Sequence, residues 1–80
     1  MEKETVLIKV TEILRQVFKN PSLVITDQTT AHDVDGWDSL SHMILITDVE
    51  KAFGIKFRLK ELNKMRNVGD MVDLIIQKST

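Results

Sequence analysis

Apolar residues recur at helical spacing along most of this chain, and that periodicity is the feature that most restricts its fold. In the first segment, ETVLIKVTEILRQVFK, they stand at i, i+4, i+7, i+8 and i+11, which is one face of a long amphipathic helix. The members of this face are Val6, Val10, Ile13, Leu14 and Val17. The stretch Asn20-Pro21-Ser22 is expected to end the helix, because proline lacks the amide hydrogen that the helical ladder needs.

A second helix is predicted from Ser39 to about Phe53, with Asp38 as its N-cap and Gly54 at its end. Advancing about 100° per residue places a group of apolar side chains on one side, the expected core face. These are Leu45, Ile46, Val49, Ala52 and Phe53. His42 falls near the same direction and is expected to project towards the core.

The other side of this predicted helix is apolar as well. Leu40, Met43, Ile44 and Thr47 fall there, with Asp48 and Lys51 beside them. An exposed apolar patch rimmed by charge is typical of a docking surface. The alternative is that a loop or a third helix covers part of the patch.

The remaining segments predict two further helices and one long loop. LKELNKM permits one or two turns of a third helix, and Asn67 can cap a fourth. One face of the fourth helix is formed by Val68, Met71, Val72, Ile75 and Ile76. Residues 23–36 form a loop with scattered apolar side chains that are expected to attach it to the bundle. The expected fold is all-α, a small four-helix bundle with a long first loop and a short third helix, in a single domain over residues 1–80.

Length and composition are consistent with such a bundle. The 80 residues suffice for one small domain, and an apolar fraction of 42% favours a folded chain. The absence of cysteine excludes disulfides and thiolate metal sites. No apolar run reaches the ~20 residues that span a bilayer, and the first residues lack the apolar core of a secretory signal. A cytoplasmic location is therefore the default expectation.

Charge is distributed unevenly along the chain. Between Asn20 and Glu50 there is no Lys or Arg, and the acids are Asp27, Asp33, Asp35, Asp38, Asp48 and Glu50. Between Lys51 and Arg66 the balance reverses, with Glu61 as the only acid. Because like charges repel, the acidic half argues against nucleic acid or an anionic membrane as its partner and suits a basic protein surface.

Ser39 stands where the acidic loop gives way to the second helix. Its hydroxyl is expected in solvent at the positive end of the helix dipole, where free backbone amides favour a phosphate group. Catalysis by this serine is disfavoured, because a nucleophilic serine needs an oriented base and His42 is expected to point towards the core. A calcium loop is also excluded: with Gly36 at its sixth position, Ala31 and His42 would occupy the two main ligand positions.

The stretch GWDSLSHMILITDVEKAFGIKF closely resembles the carrier-serine region of acyl carrier proteins. Asp38-Ser39-Leu40 matches the family's D-S-L core, and Phe53-Gly54-Ile55 matches its F-G-I element. NVGDMVDLIIQ resembles the start of the family's last helix, so the similarity covers essentially the whole chain in order.

This resemblance implies that Ser39 is the attachment point of 4′-phosphopantetheine, which a separate phosphopantetheinyl transferase moves from coenzyme A. The group would supply the thiol that holds an acyl cargo, since the chain has no cysteine. The carrier itself would catalyse nothing and would act as a monomer. Its other partners would be acyl-loading and acyl-transferring enzymes of fatty-acid, polyketide or related pathways, with no nucleic acid or membrane involved.

The family docks on basic partner surfaces through its acidic loop and second helix. Carried over to this sequence, the expected docking residues are Asp38, Leu40, Met43, Ile44, Asp48 and Glu50. Ser41, Ile44 and Lys51 depart from the acids that the family often places there, which indicates more apolar docking and a narrower set of partners. Trp37 also departs, and is expected to pack against the loop or touch the arm.

Three further expectations remain open at this point. An acyl chain could enter the bundle between the second and third helices, with Met43, Met65 and Met71 as its walls. The chain could instead be a helical interaction module without a prosthetic group. An aminoacyl or peptidyl carrier is possible too, although such domains more often have glycine-rich residues before the serine.

Overall fold

A computed structural model of the chain, which describes residues 2–79, contains four α-helices and one 3₁₀ turn. The elements are α1 (Lys3–Val17), the 3₁₀ turn (Ala31–Asp33), α2 (Ser39–Phe53), α3 (Leu59–Leu62) and α4 (Val68–Ser79). The all-α fold with a long first loop and a short third helix is thus confirmed. Within these residues, no helix is long and apolar enough to cross a membrane.

The core lies where α1 packs against α2 and α4. Its buried apolar side chains are Val6, Val10, Ile13, Leu14, Ile25, Val34, Leu45, Ile46, Val49, Val68, Met71, Val72 and Ile75. Most residues of the predicted faces of α1, α2 and α4 are buried. Ala52 was expected on the core face of α2 and is exposed, while Val17, Phe53 and Ile76 are only half-buried.

Helix α1 ends earlier than the proline alone would require. Phe18 is its C-cap and donates its amide hydrogen to the Leu14 carbonyl. Lys19 then adopts the left-handed region at φ 53°, which turns the chain out of the helix before Pro21 is reached. The Asn20 amide closes this end by donating to the Arg15 carbonyl at 3.0 Å.

The long first loop is attached to the bundle by three of its apolar residues. Ile25 and Val34 are buried in the core and Leu23 packs against it, whereas Val24 is 79% exposed. Thr29 is also buried, and its hydroxyl accepts the Thr26 amide hydrogen at 2.9 Å. The 3₁₀ turn that follows was not predicted, because three residues are too few to show a periodicity.

The same loop also caps the start of α4. The Asp27 carbonyl accepts the Gly69 amide hydrogen at 2.7 Å, and the Thr29 carbonyl accepts that of Val68 at 2.9 Å. The predicted cap is present too, because Asn67 Oδ1 accepts the Asp70 amide hydrogen at 2.8 Å. The free amides of this helix end are thereby satisfied.

The connection after α2 is held by a single acidic residue. Gly54 ends the helix in the left-handed conformation at φ 65°. The Glu50 carbonyl accepts the Ile55 amide hydrogen at 3.1 Å, and its Oε2 accepts that of Phe57 at 2.8 Å. Glu50 thus fixes the path of the chain towards α3.

We predict that replacing Gly69 with alanine destabilises the protein, although alanine is intrinsically the better helix former by ~1 kcal/mol. A Cβ at Gly69 would lie 2.7 Å from the Asp27 carbonyl oxygen, so the loop would have to move and its hydrogen bond to α4 would weaken. We expect a loss of about 1–3 kcal/mol in the free energy of unfolding, measured by urea denaturation.

Gly54→Ala is the matched control, because a Cβ there meets nothing within 4 Å and the cost comes only from the left-handed backbone. A Gly69→Ala variant as stable as the wild type would contradict the close approach of the loop to α4.

Candidate functional site

The N-terminus of α2 is closed by a reciprocal pair of hydrogen bonds. Asp38 Oδ1 accepts the Ser41 amide hydrogen at 2.9 Å, and Ser41 Oγ accepts the Asp38 amide hydrogen at the same distance. This arrangement is a capping box, and it satisfies donors that a helix start otherwise leaves without partners. The predicted role of Asp38 as the N-cap is confirmed.

The capping box distinguishes the two serines of the first turn. The Ser41 hydroxyl donates to the Gly36 carbonyl at 2.8 Å while it accepts from Asp38, so both of its functions are engaged. Ser39 lies at the first position of α2 and is exposed. Across residues 2–79 its hydroxyl has no hydrogen-bond partner, so Ser39 presents the free hydroxyl of this turn.

The carboxyl group of Asp38 is held in its ionised form. The Ser41 amide lowers its pKa from the ordinary value by donating to the carboxylate, and the Ser41 hydroxyl, which shares its one hydrogen between the Gly36 carbonyl and this carboxylate at 3.1 Å, lowers it further. The negative charge lies at the positive end of the α2 dipole, where it is favourable.

Trp37 and His42 form a side-chain contact across the same turn. The indole Nε1 donates to His42 Nδ1 at 3.0 Å, and the two rings lie edge to edge with their centroids 6.0 Å apart and their planes 23° from parallel. Phe18, at the end of α1, packs on the indole with a centroid distance of 5.7 Å. Burial lowers the pKa of His42, which favours the neutral ring that this hydrogen bond requires.

The outer face of α2 is exposed, as the prediction of a docking surface requires. Leu40, Met43 and Ile44 are 74%, 51% and 49% exposed. Together with Thr47 and Asp48 they line a shallow groove of about 240 Å³. Neither the loop nor α3 covers these side chains, so an apolar strip begins one residue after Ser39. We call these five residues the outer patch.

The methionines expected to line a cargo cavity lie apart from one another. Met43 is on the outer patch, Met71 is buried in the core, and Met65 is half-buried beside a groove between α3 and α4. The expectation that Met43 lines an internal cavity is wrong, because its side of α2 faces away from the core.

The other two expected docking acids differ in their surroundings. Asp48 is half-buried and belongs to the outer patch. Glu50 is half-buried, and its Oε2 accepts the Phe57 amide hydrogen. Among the described residues, no group of three or more His, Cys, Asp or Glu side chains could hold a metal ion.

A phosphopantetheine group fits the site at Ser39. The hydroxyl is exposed and has no competing partner in the described chain, so a phosphodiester can form there without breaking a hydrogen bond of the fold. The positive end of a helix of 15 residues is a suitable place for the phosphate charge. The Asp38 carboxylate next to it is engaged by the amide and hydroxyl of Ser41.

Comparison with known proteins gives a consistent result. Residues 9–75 match a family described as "Phosphopantetheine attachment site". The chain is 32% identical over 76 residues to an acyl carrier protein of Thermotoga maritima, covering 95% of this chain and 94% of that protein. It is also 32% identical over 78 residues to an acyl carrier protein of an Exiguobacterium species, covering 98% and 99% of the two chains.

A solved structure is similar as well. The solution NMR structure of a holo acyl carrier protein from Geobacter metallireducens superposes with a TM-score of 0.86. The two chains are 52% identical, and the match covers 91% of this chain and 84% of the other.

The capping carboxylate generates a pH-dependent prediction. The pKa of Asp38 is lowered in the fold, so its ionised carboxylate stabilises the folded state. This stabilisation is fully present at pH values above the ordinary pKa of 3.8 and is lost as the pH falls through the pKa of the folded state. We predict that Asp38→Ala lowers the melting temperature at neutral pH, and that Asp38→Asn, which keeps an acceptor oxygen, lowers it less.

The wild-type and Asp38→Asn melting temperatures should converge in acid, as measured by circular dichroism over a pH series. A constant difference between the two down to pH values below 3.8 would mean that the carboxylate does not act as described.

Proposed function

This chain belongs to the acyl carrier protein family, and we propose that the hydroxyl of Ser39 is the point at which it carries its 4′-phosphopantetheine group. The free hydroxyl at the start of α2 is the observation that supports this position, because the neighbouring Ser41 is engaged in the capping box. The chain functions as a carrier that holds acyl groups as thioesters.

The attachment step needs only one reacting group from this chain. Ser39 Oγ forms a bond to the phosphorus of coenzyme A that bears the pantetheine arm, and the pyrophosphate P–O bond breaks. Adenosine 3′,5′-bisphosphate leaves, and the hydroxyl proton passes to a base of the transferase. The chain contributes a rigid helix start that holds the backbone of Ser39, and a dipole that favours the new phosphodiester charge.

The prosthetic group supplies a thiol on a long arm, which the chain lacks because it contains no cysteine. Docking then determines which enzymes reach that thiol. We propose that the outer patch contributes apolar contacts and that Asp38 and Asp48 contribute the charge that meets a basic partner surface. Glu50 stays in the predicted docking set, with its main contact made to the Phe57 amide.

The partners proposed are a phosphopantetheinyl transferase and the acyl-loading and acyl-transferring enzymes of a biosynthetic pathway. The chain itself contributes no catalytic group in this account. His42 is the histidine nearest Ser39 in sequence, and its Nδ1 already accepts the indole hydrogen of Trp37. A monomer in the cytoplasm remains the sequence-based expectation.

The attachment site is tested by intact mass measurement after incubation with coenzyme A, Mg²⁺ and a broad-specificity phosphopantetheinyl transferase. We predict that the wild type gains one phosphopantetheine and that Ser39→Ala gains none. Ser41→Ala is the matched control: it keeps the Ser39 hydroxyl, so it should still be loaded despite a weaker cap. Loading of a folded Ser39→Ala variant would refute the proposed site.

The docking surface is tested at Ile44, which is half-exposed in the outer patch. We predict that Ile44→Glu raises the KM of the transferase for this carrier ~10-fold with little change in kcat, because removing one central apolar contact typically costs about 1–2 kcal/mol of binding. Ala52→Glu places the same charge at an exposed position of α2 outside the patch and serves as the control. Equal KM values for the two variants would exclude a docking role for the patch.

A further inference from the structure

A side-chain contact joins two residues that lie on either side of Ser39 in the sequence. Trp37 lies two residues before the serine and His42 three residues after it, and their side chains are joined by the hydrogen bond of 3.0 Å from Nε1 to Nδ1. The interplanar angle of 23° and the centroid distance of 6.0 Å show that the rings lie edge to edge in nearly the same plane, as an indole N–H bond to Nδ1 requires. The contact therefore connects the last residues of the long loop to the first turn of α2.

The contact is chemically specific. An indole N–H can only donate, and an imidazole Nδ1 can accept only when it carries no proton. The neutral tautomer with its proton on Nε2 is thus the one that fits, and burial of His42 favours the neutral ring by lowering its pKa. The backbone amide of His42 donates to the Asp38 carbonyl at 2.9 Å, so the histidine is already part of the helical ladder.

Trp37 is fixed from a second direction as well. Phe18 packs on the indole at a tilt of 41°, which ties the loop to the end of α1. The Trp37 amide donates to the Val34 carbonyl at 3.2 Å. The segment before Ser39 is therefore held between α1 and α2, while the Ser39 side chain itself has no bond within the described residues that would orient it.

We propose that Trp37 and His42 are a positioning pair that holds the backbone around Ser39 in the orientation required for phosphopantetheine transfer. The proposal rests on Ser39 as the acceptor of that group. A hydroxyl without a hydrogen-bond partner is positioned only by the backbone that carries it. A small displacement of the reacting oxygen lowers the rate of the transfer step and leaves the affinity for the transferase unchanged. The pair thus acts on kcat, whereas the outer patch acts on KM.

The capping box does not replace this contact. Its bonds join Gly36 and Asp38 to Ser41 and hold the turn to its own helix. The indole connects this turn to α1, because its ring contacts Phe18 at the end of α1 and His42 in α2. Without the Trp37–His42 bond the turn stays capped but its orientation relative to the bundle loosens.

The test compares two variants at one position. His42→Phe keeps a planar ring at this position and removes the acceptor, whereas His42→Asn places an amide oxygen near the position of Nδ1. We predict that His42→Phe lowers the kcat of phosphopantetheine transfer ~10-fold with KM unchanged, and that His42→Asn stays within about threefold of the wild type. Circular dichroism establishes that each variant is folded.

Two further measurements separate positioning from stability. The indole N–H resonance of Trp37, the only tryptophan, should exchange faster with solvent in His42→Phe than in His42→Asn. Trp37→Phe should lower kcat by a similar factor, and the double variant with His42→Phe should be no slower than either single one, because both remove the same bond.

Several results would overturn the proposal. An unchanged kcat in folded His42→Phe and Trp37→Phe would show that the bond does not position Ser39, and a raised KM with unchanged kcat would make Trp37 a docking residue instead. Independent, multiplying effects in the double variant would also contradict a shared bond. If the wild type is not loaded, or if Ser39→Ala is loaded, the proposed attachment site is refuted. If both behave as proposed, the kinetics of the His42 and Trp37 variants test the positioning pair alone.

Discussion

The reciprocal hydrogen bonds between Asp38 and Ser41 determine how the rest of the site is arranged. They start α2 at Ser39, and they engage the hydroxyl of the serine two positions further on. The same hydroxyl also donates to Gly36, whose φ of 85° turns the loop into the helix. One free hydroxyl is therefore left at the positive end of a long helix, and its neighbour cannot compete for the same chemistry without weakening the cap.

The two sides of this turn differ in role: one orients Ser39 and the other docks partners. Trp37 and His42 lie on the side that packs towards the bundle, and the outer patch lies on the side that faces away from it. An apolar strip on an exposed face gives the fold no stability, so its value lies in complexes, where burial is worth roughly 25 cal/mol per Å². The acidic residues before Ser39 add charge that steers encounters with a basic surface.

Much of the fold follows from periodicity, because burial imposes it. The apolar spacing of α1 and α4 identifies their core faces, and the cap at Asp38 follows from its side-chain chemistry alone. Ala52 could not be assigned correctly, since a small side chain at the edge of a face is tolerated buried or exposed. The turn at Lys19 depends on a left-handed backbone conformation, which a lysine in the sequence does not indicate. The Trp37–His42 bond depends on two rotamers and on the path of the loop, which no sequence pattern encodes.

The most direct test of this account is to locate the modification in the loaded wild-type protein by tandem mass spectrometry. Trypsin leaves Ser22, Ser39 and Ser41 on one peptide, because no Lys or Arg lies between Asn20 and Glu50, so fragmentation has to distinguish the three serines. The account predicts phosphopantetheine on Ser39 alone. Modification of Ser41 or of any other residue, or no modification of a folded protein, would contradict it.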